Sequence, residues 1–244
     1  MDDLAGKVAV VTGGARRLGR ATVLRLAHAG CNVVVNYRSA AAAAETTATD
    51  ARAAGVGAVT VLADVARADD VDRLLRTSLS EFGRVDILIA NAGAFRRTPL
   101  ATLTEADWDD MIDNNLRATF LCARRFGLHM RAHGGGCIVT LADVAGVRPW
   151  ADYLPYCVAK AGVITLTQAL AKELAPTVRV NAIAPGPILF PDDFDSAAQQ
   201  REIARTLLQR QGTPDNVAEA ILALVCNDYI TGVLLPVDGG RALV

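Results

Sequence analysis

Short apolar runs alternate with segments of helical period from one end of the chain to the other. The runs at Val8–Val11, Val33–Asn36, Val59–Leu62, Ile87–Ala90, Cys137–Leu141, Arg179–Ile183 and Leu234–Val237 are largely apolar at consecutive positions. Apolar residues on both faces predict parallel strands covered from both sides. Between them the spacing predicts helices over Ala21–Ala29, Ala41–Ala54, Val71–Glu81, Trp108–Met130, Tyr156–Leu174 and Pro214–Leu224. This alternation implies an α/β fold: one doubly wound parallel sheet of about seven strands, with helices on both faces. The stretch "SAAAAAETTATDARAAG" reads as a surface helix, because alanine is the strongest helix former. No linker or internal repeat divides residues 1–244, so a single domain is expected. The irregular region 189–212 is expected to be a substrate-covering loop or short helices.

Composition narrows the classes. With 244 residues, 52% of them apolar, the chain can bury a large core. A net charge of -1 and a pI near 6.3 give no electrostatic case for nucleic acid or an anionic membrane as partner. No run approaches the ~20 apolar residues of a membrane span, and the acidic N-terminus argues against a secretory signal. The five cysteines form no CxxC pair and the three histidines are scattered. The expectation is a metal-free cytoplasmic protein whose thiols are core residues.

In an open parallel sheet, ligands bind beyond the carboxyl ends of the strands, where strand order reverses. The first strand–helix turn, Thr12–Gly19, is therefore the first candidate site. Gly13 and Gly19 leave room there for a pyrophosphate at a helix N-terminus. The second strand ends in "NYRS", where an NAD site usually carries an acidic residue. Arg38, with Arg16 across the turn and Ser39 as a hydroxyl donor, suits a 2′-phosphate and so NADPH. In "YCVAK", Tyr156 and Lys160 are four apart and share a helix face. The neighbouring ammonium is expected to lower the phenol pKa towards neutrality.

"TGGARRLG", "ADV" at 63–65, "NAG" at 91–93, "NNL" at 114–116, "YCVAK", "RVNAIAPGPI" and "TGVLLPVDGG" follow one another over essentially the whole chain. In that order and spacing the chain resembles the short-chain dehydrogenase/reductase family. The resemblance implies a Rossmann-type domain, hydride transfer with a nicotinamide, a small-molecule substrate and a homo-oligomer, usually a tetramer. It implies Tyr156 as proton donor, Lys160 on the nicotinamide ribose beside it, and Asn115 supporting a proton-relay water. Gly13, Arg16, Arg17, Leu18 and Gly19 would surround the cofactor phosphates, and Tyr37, Arg38 and Ser39 the adenosine ribose. Asp64 and Val65 would meet the adenine, while Asn91, Ala92 and Gly93 would line the groove. Pro185, Gly186 and Ile188 would flank the carboxamide, although "PGPILF" lacks the threonine that often follows.

Two positions depart from the family pattern. Arg17 replaces the middle glycine of TGxxxGxG, and Asp143 stands where the catalytic serine is expected, thirteen residues before Tyr156. Together they resemble the pteridine reductase branch, and Phe95 falls where those enzymes stack a ring on the pterin. Trp150 and Tyr153 are further pocket candidates. The first reading is thus an NADPH-dependent reductase of a dihydropterin, dihydrofolate or similar C=N bond. The alternative is a carbonyl reductase of 3-oxoacyl thioesters or other ketones, against which an ionised Asp143 counts because it cannot donate a hydrogen bond. A non-catalytic NADPH-binding module is the third reading.

Overall fold

The computed structural model describes residues 4–190 and 194–244. Its strands are β1 (Val8–Val11), β2 (Asn32–Tyr37), β3 (Ala58–Leu62), β4 (Ile87–Ala90), β5 (Gly136–Leu141), β6 (Val178–Pro185) and β7 (Leu234–Val237). They form one seven-stranded parallel sheet in the order β3-β2-β1-β4-β5-β6-β7. Consecutive apolar residues serve such strands because neighbours point to opposite layers. Ala9, Val11, Val33, Val35, Ile87 and Ile89 pack with α1 (Arg17–His28), α2 (Ala41–Ala53) and α8 (Pro214–Cys226). Val8, Val10, Val34 and Leu88 pack with α3 (Ala68–Phe82), α5 (Ala118–Ala132) and the end of α6 (Leu154–Leu174).

The expected α/β fold is observed, with differences at particular elements. The helix expected over Trp108–Met130 is three pieces: α4 (Glu105–Ile112), a π-helical turn (Asp113–Arg117) and α5. A capping box opens α4 before the apolar pattern begins: the Thr104 hydroxyl accepts the Asp107 N–H at 3.1 Å, and the Asp107 carboxylate accepts the Thr104 N–H at 3.2 Å. Region 189–212 contains α7 (Ser196–Ala204), capped by Asp195; Pro191, Asp192 and Asp193 lie outside the described residues. By length and mean hydropathy α6 could cross a membrane, although Lys160, Thr165, Thr167 and Gln168 interrupt its apolar run. It packs instead against β6, α4 and α5, burying Tyr156, Lys160, Val163 and Leu174.

Strand order reverses between β1 and β4, and three side chains hold the strand ends there. The Thr12 hydroxyl accepts the N–H groups of Asn91 (3.0 Å) and Ala92 (2.9 Å). The Asn91 amide donates back to Thr12 O at 2.8 Å and Gly13 O at 3.2 Å. Asn36, at the end of β2, accepts the Gly13 N–H at 3.2 Å and donates to Val61 O and Ala63 O of the neighbouring β3 end.

The turn that follows β1 is tight. A Cβ on Gly13 (φ 61°) would lie 3.2 Å from Ala92 Cα, and one on Gly19 would lie 2.1 Å from Gly13 O. Arg17 also has a left-handed backbone, φ 52°, where the family pattern has glycine. An L-residue pays roughly 1–2 kcal/mol for that conformation. Its side chain reaches across the cleft entrance, donating to Leu189 O at 3.1 Å and Phe190 O at 3.4 Å. Arg17→Gly and Arg17→Ala both remove those contacts, but glycine alone relieves the backbone. We expect the glycine variant to be the more stable by about 1 kcal/mol in urea unfolding, the reverse of the order in an ordinary helix. An alanine variant equal to or more stable than the glycine variant would show that residue 17 is not left-handed in solution.

Candidate active site

A cleft of about 870 Å³ opens above the carboxyl ends of β1, β4, β5 and β6. One wall is the start of α1. Arg16 precedes it in extended conformation, no side chain caps it, and no acidic residue lies in its first turn. Its free N–H groups and the missing side chains of Gly13 and Gly19 fit a pyrophosphate. Further along, a Cβ on Gly93 would come 2.7 Å from Asn115 Oδ1 and 3.6 Å from Lys160 Nζ, so the groove floor admits no side chain there. The residues present therefore fit a dinucleotide.

The reactive groups stand where β5 and α6 meet. Asp143 follows β5 and caps a short 3-10 turn, Val144–Gly146, its Oδ1 accepting the Ala145 N–H at 2.8 Å. Its Oδ2 accepts the Tyr156 hydroxyl at 2.8 Å. One turn along α6, Lys160 donates to Leu141 O at 2.8 Å, and its Nζ lies 5.6 Å from the centre of the Tyr156 ring. Asn115 sits on the π-helical turn, buried, donating to Ala94 O (3.0 Å) and Met111 O (2.9 Å) and accepting the Ala94 N–H (3.3 Å). The wide turn is what the continuous-helix reading lacked, and such turns cluster at functional sites.

Burial sets the charges. It raises the Tyr156 pKa well above the ordinary phenol value, and the charge and hydrogen bond of Asp143 add to the rise. This corrects the expectation that Lys160 lowers it: the phenol is held neutral. Burial also raises the Asp143 carboxyl, opposed by the Ala145 N–H, Lys160 and Tyr156. Lys160 is lowered to about 8 by burial, with Asp143 acting in the other direction.

Aromatic rings form the outer wall. Phe95 stacks on Tyr153 at 4.9 Å and 17°, and meets Tyr156 edge-on at 4.9 Å. Trp150 lies edge-on to both Phe95 and Tyr153. The wall is tied together by Arg97–Asp152 at 2.6 Å and by a parallel bridge between Thr98 and Tyr153.

The cleft gathers most of the residues expected from sequence: Gly13, Arg16–Gly19, Asn91–Gly93, Phe95, Asn115, Asp143, Trp150, Tyr153, Tyr156, Lys160, Pro185, Gly186 and Ile188. It does not include Tyr37, Arg38, Ser39, Asp64 or Val65. Tyr37 and Val65 pack into the two cores, and Asp64 accepts the Ala66 N–H at 3.1 Å. Arg38 is not gathered with Arg16. Its guanidinium donates to Asn114 Oδ1 at 2.7 Å, an oxygen that Asp110 orients by accepting from the Asn114 amide at 2.8 Å. The cleft also holds Leu189, Phe190, Phe194, Glu202 and Arg205, which lie in the 189–212 region but were not named singly from sequence, and Arg241, which sequence reasoning missed. The Glu202–Arg205 pair is a helical i,i+3 signal; Arg241 has no local signature. Among the described residues no cluster of His, Cys, Asp or Glu is placed to hold a metal ion.

Comparisons with known proteins agree with this geometry. A family model described as enoyl-(acyl carrier protein) reductase matches residues 13–242. The chain is 40% identical to a 3-oxoacyl-(acyl-carrier-protein) reductase of Synechocystis sp., covering 100% of both chains. It is 36% identical to the enzyme of the same name from Staphylococcus aureus, covering 96% of this chain and 97% of that one. Among solved structures, a short-chain type dehydrogenase/reductase from Mycobacterium marinum is similar with a TM-score of 0.92 and 31% identity, over 98% of this chain and 96% of that one. With the fold, the cleft and these likenesses in agreement, the chain belongs to the short-chain dehydrogenase/reductase family of nicotinamide-dependent oxidoreductases.

Proposed function

We propose that the protein is an NADPH-dependent ketoreductase of 3-oxoacyl thioesters. The observation that carries the reading is the Tyr156 hydroxyl, 2.8 Å from Asp143 in a cleft it shares with Lys160. The end-to-end likeness to 3-oxoacyl-(acyl-carrier-protein) reductases supports the substrate class. It shifts the weight from the pterin reading of the sequence to the carbonyl alternative. Arg16 and Arg38 support NADPH as charged donors for a 2′-phosphate, Arg38 on exchanging its bond to Asn114 for the phosphate. A cytoplasmic tetramer acting on a small molecule completes the reading and rests on the family resemblance.

Bound NADPH would supply the hydride. A carbonyl receiving it develops negative charge on oxygen, and Tyr156 is placed to give that oxygen its proton. The Lys160 ammonium favours the phenolate left behind. Asp143 occupies the serine's place, and the objection to it weakens because burial raises its pKa. A protonated carboxyl donates a hydrogen bond as a serine hydroxyl does.

A second reading, reduction of a dihydropterin C=N bond, is favoured by one specific arrangement: Arg17 and Asp143 in a cleft walled by the stacked Phe95 and Tyr153. The two readings separate in steady-state kcat/KM with NADPH on a 3-oxoacyl N-acetylcysteamine thioester and on a dihydropterin. We expect the thioester to be the better substrate and NADPH to be preferred over NADH. A dihydropterin reduced fast by an enzyme slow on the thioester would overturn the proposal in favour of the second reading.

Tyr156→Phe should lower kcat roughly 10²–10⁴-fold while NADPH binding, followed by fluorescence, stays nearly unchanged. Turnover within a few-fold of wild type would mean that another group supplies the proton.

The pH profile of thioester reduction has a definite sign. As pH rises, kcat/KM should fall first as Asp143 ionises above the usual carboxylate range and stops donating. It should fall again near pH 8 as Lys160 loses its proton. Asp143→Ser should abolish the first fall. It should also move the second to lower pH, because the carboxylate that supports the ammonium is gone. A profile unchanged in the serine variant would remove Asp143 from this role.

A further inference from the structure

The cleft has a polar region that the hydride chemistry leaves unused. Arg241, in the 3-10 turn Arg241–Leu243 after β7, is 8% exposed. A buried guanidinium needs a full set of acceptors, and Arg241 lacks one. Its Nη2 reaches Glu202 Oε2 at 3.3 Å, and its Nη1 reaches Val244 O at 3.5 Å, both long for a charged donor. Its Nε is buried with no hydrogen-bond partner. Glu202 leans the other way, taking Arg205 Nη1 on Oε1 at 2.7 Å. One carboxylate is thus shared by two guanidiniums and satisfies Arg205 better. All three side chains line the cleft that holds Asp143 and Tyr156.

We infer that Arg241 anchors a carboxylate at the far end of the acyl substrate, so that the preferred substrates are 3-oxoacyl thioesters ending in an acid. The incoming carboxylate would take Nε and Nη2 as a fork, displacing Glu202 Oε2 and leaving Glu202 paired with Arg205. A planar guanidinium matches a carboxylate in this bidentate way, and the exchange satisfies the N–H that now has no acceptor. Because Nε is buried and Glu202 Oε2 already lies on Nη2, the exchange involves a movement of Glu202 on α7. A neutral acyl tail offers nothing that could replace Glu202. This inference deepens the ketoreductase reading and rests on it.

The test compares two N-acetylcysteamine thioesters of equal chain length, 3-oxoadipyl and 3-oxohexanoyl, which differ in a terminal carboxylate against a methyl. The wild type should favour the acid by about tenfold or more in kcat/KM, mainly through KM. Arg241→Met should bring the ratio close to one. Arg241→Lys, which keeps the charge but not the fork, should retain part of the preference. Glu202→Gln should raise the ratio by removing the competing carboxylate. A wild-type ratio of one or below, or a ratio that neither Arg241 variant moves, overturns the inference. Should the methionine variant not fold, the lysine and glutamine variants decide alone. A dependence on Arg241 seen only with coenzyme A thioesters, whatever their tail, would assign the arginine to a phosphate and also overturn it. If neither thioester is reduced, the ketoreductase reading itself has failed. Calorimetry with adipate then reads the anchor directly: binding weakened in Arg241→Lys sustains it, and no binding to the wild type, or binding that Arg241→Lys leaves unchanged, overturns it.

Discussion

The height at which β1 and β4 end depends on one hydroxyl. Thr12 Oγ accepts two successive backbone N–H groups, those of Asn91 and Ala92, from the strand across the switch point. Without it the Ala92 N–H would lose this acceptor and the Asn91 N–H would keep only Ile89 O, at 3.0 Å, and an unmet donor inside a cleft is costly. With them satisfied, the chain after β4 can run straight on through Gly93 to Ala94, which Asn115 grips at both its N–H and its carbonyl. Gly93 must then lie against Asn115, whose Oδ1 would be 2.7 Å from a Cβ, with Lys160 Nζ at ordinary contact distance. The phosphate turn, the groove floor and the lysine are therefore positioned by one continuous set of contacts rather than by separate local choices.

The reactive trio shows the cost of such a site. A phenol, a carboxyl and an ammonium are enclosed together, and burial pushes each towards its neutral form. Asp143 and Lys160 restrain each other's shift, and the Asp143–Tyr156 hydrogen bond favours the neutral phenol. Opposed shifts among close groups are how one pocket can hold an acid and a cation near neutral pH. Stability is given up for this, since a packed apolar trio would fold at least as well.

Much of this was legible in the sequence because the signals are repetitive or local. Strands buried on both faces announce themselves by consecutive apolar residues, and Tyr156 with Lys160 by helical spacing. What escaped is long-range or geometric. A π-helical turn has the composition of the helix around it, so Asp113–Arg117 could not be separated from α4 and α5. Asn36 looked like the end of a strand, but its side chain links the ends of β1 and β3. Arg38 was assigned from its position after β2, yet its rotamer depends on Asn114, 76 residues away. The shift on Tyr156 was misjudged because spacing reveals a neighbouring charge and says nothing of desolvation, the larger effect.

The two departures from the family pattern make physical sense together. Glycine at position 17 would hold the left-handed turn without strain, and serine at 143 would donate a hydrogen bond without needing its own pKa shifted. Arginine and aspartate each accept a cost that the simpler residue avoids. In return, Arg17 joins the turn after β1 to the Leu189 and Phe190 carbonyls at the cleft entrance. Asp143 in turn gives Tyr156 a partner that can be charged or neutral. Both side chains link separate elements that line the cleft, Arg17 the start of α1 to the backbone after β6, and Asp143 the end of β5 to α6. Glycine at 17 has no side chain with which to make the first link, and serine at 143 has one oxygen where the carboxyl uses two, one on Tyr156 and one on the Ala145 N–H.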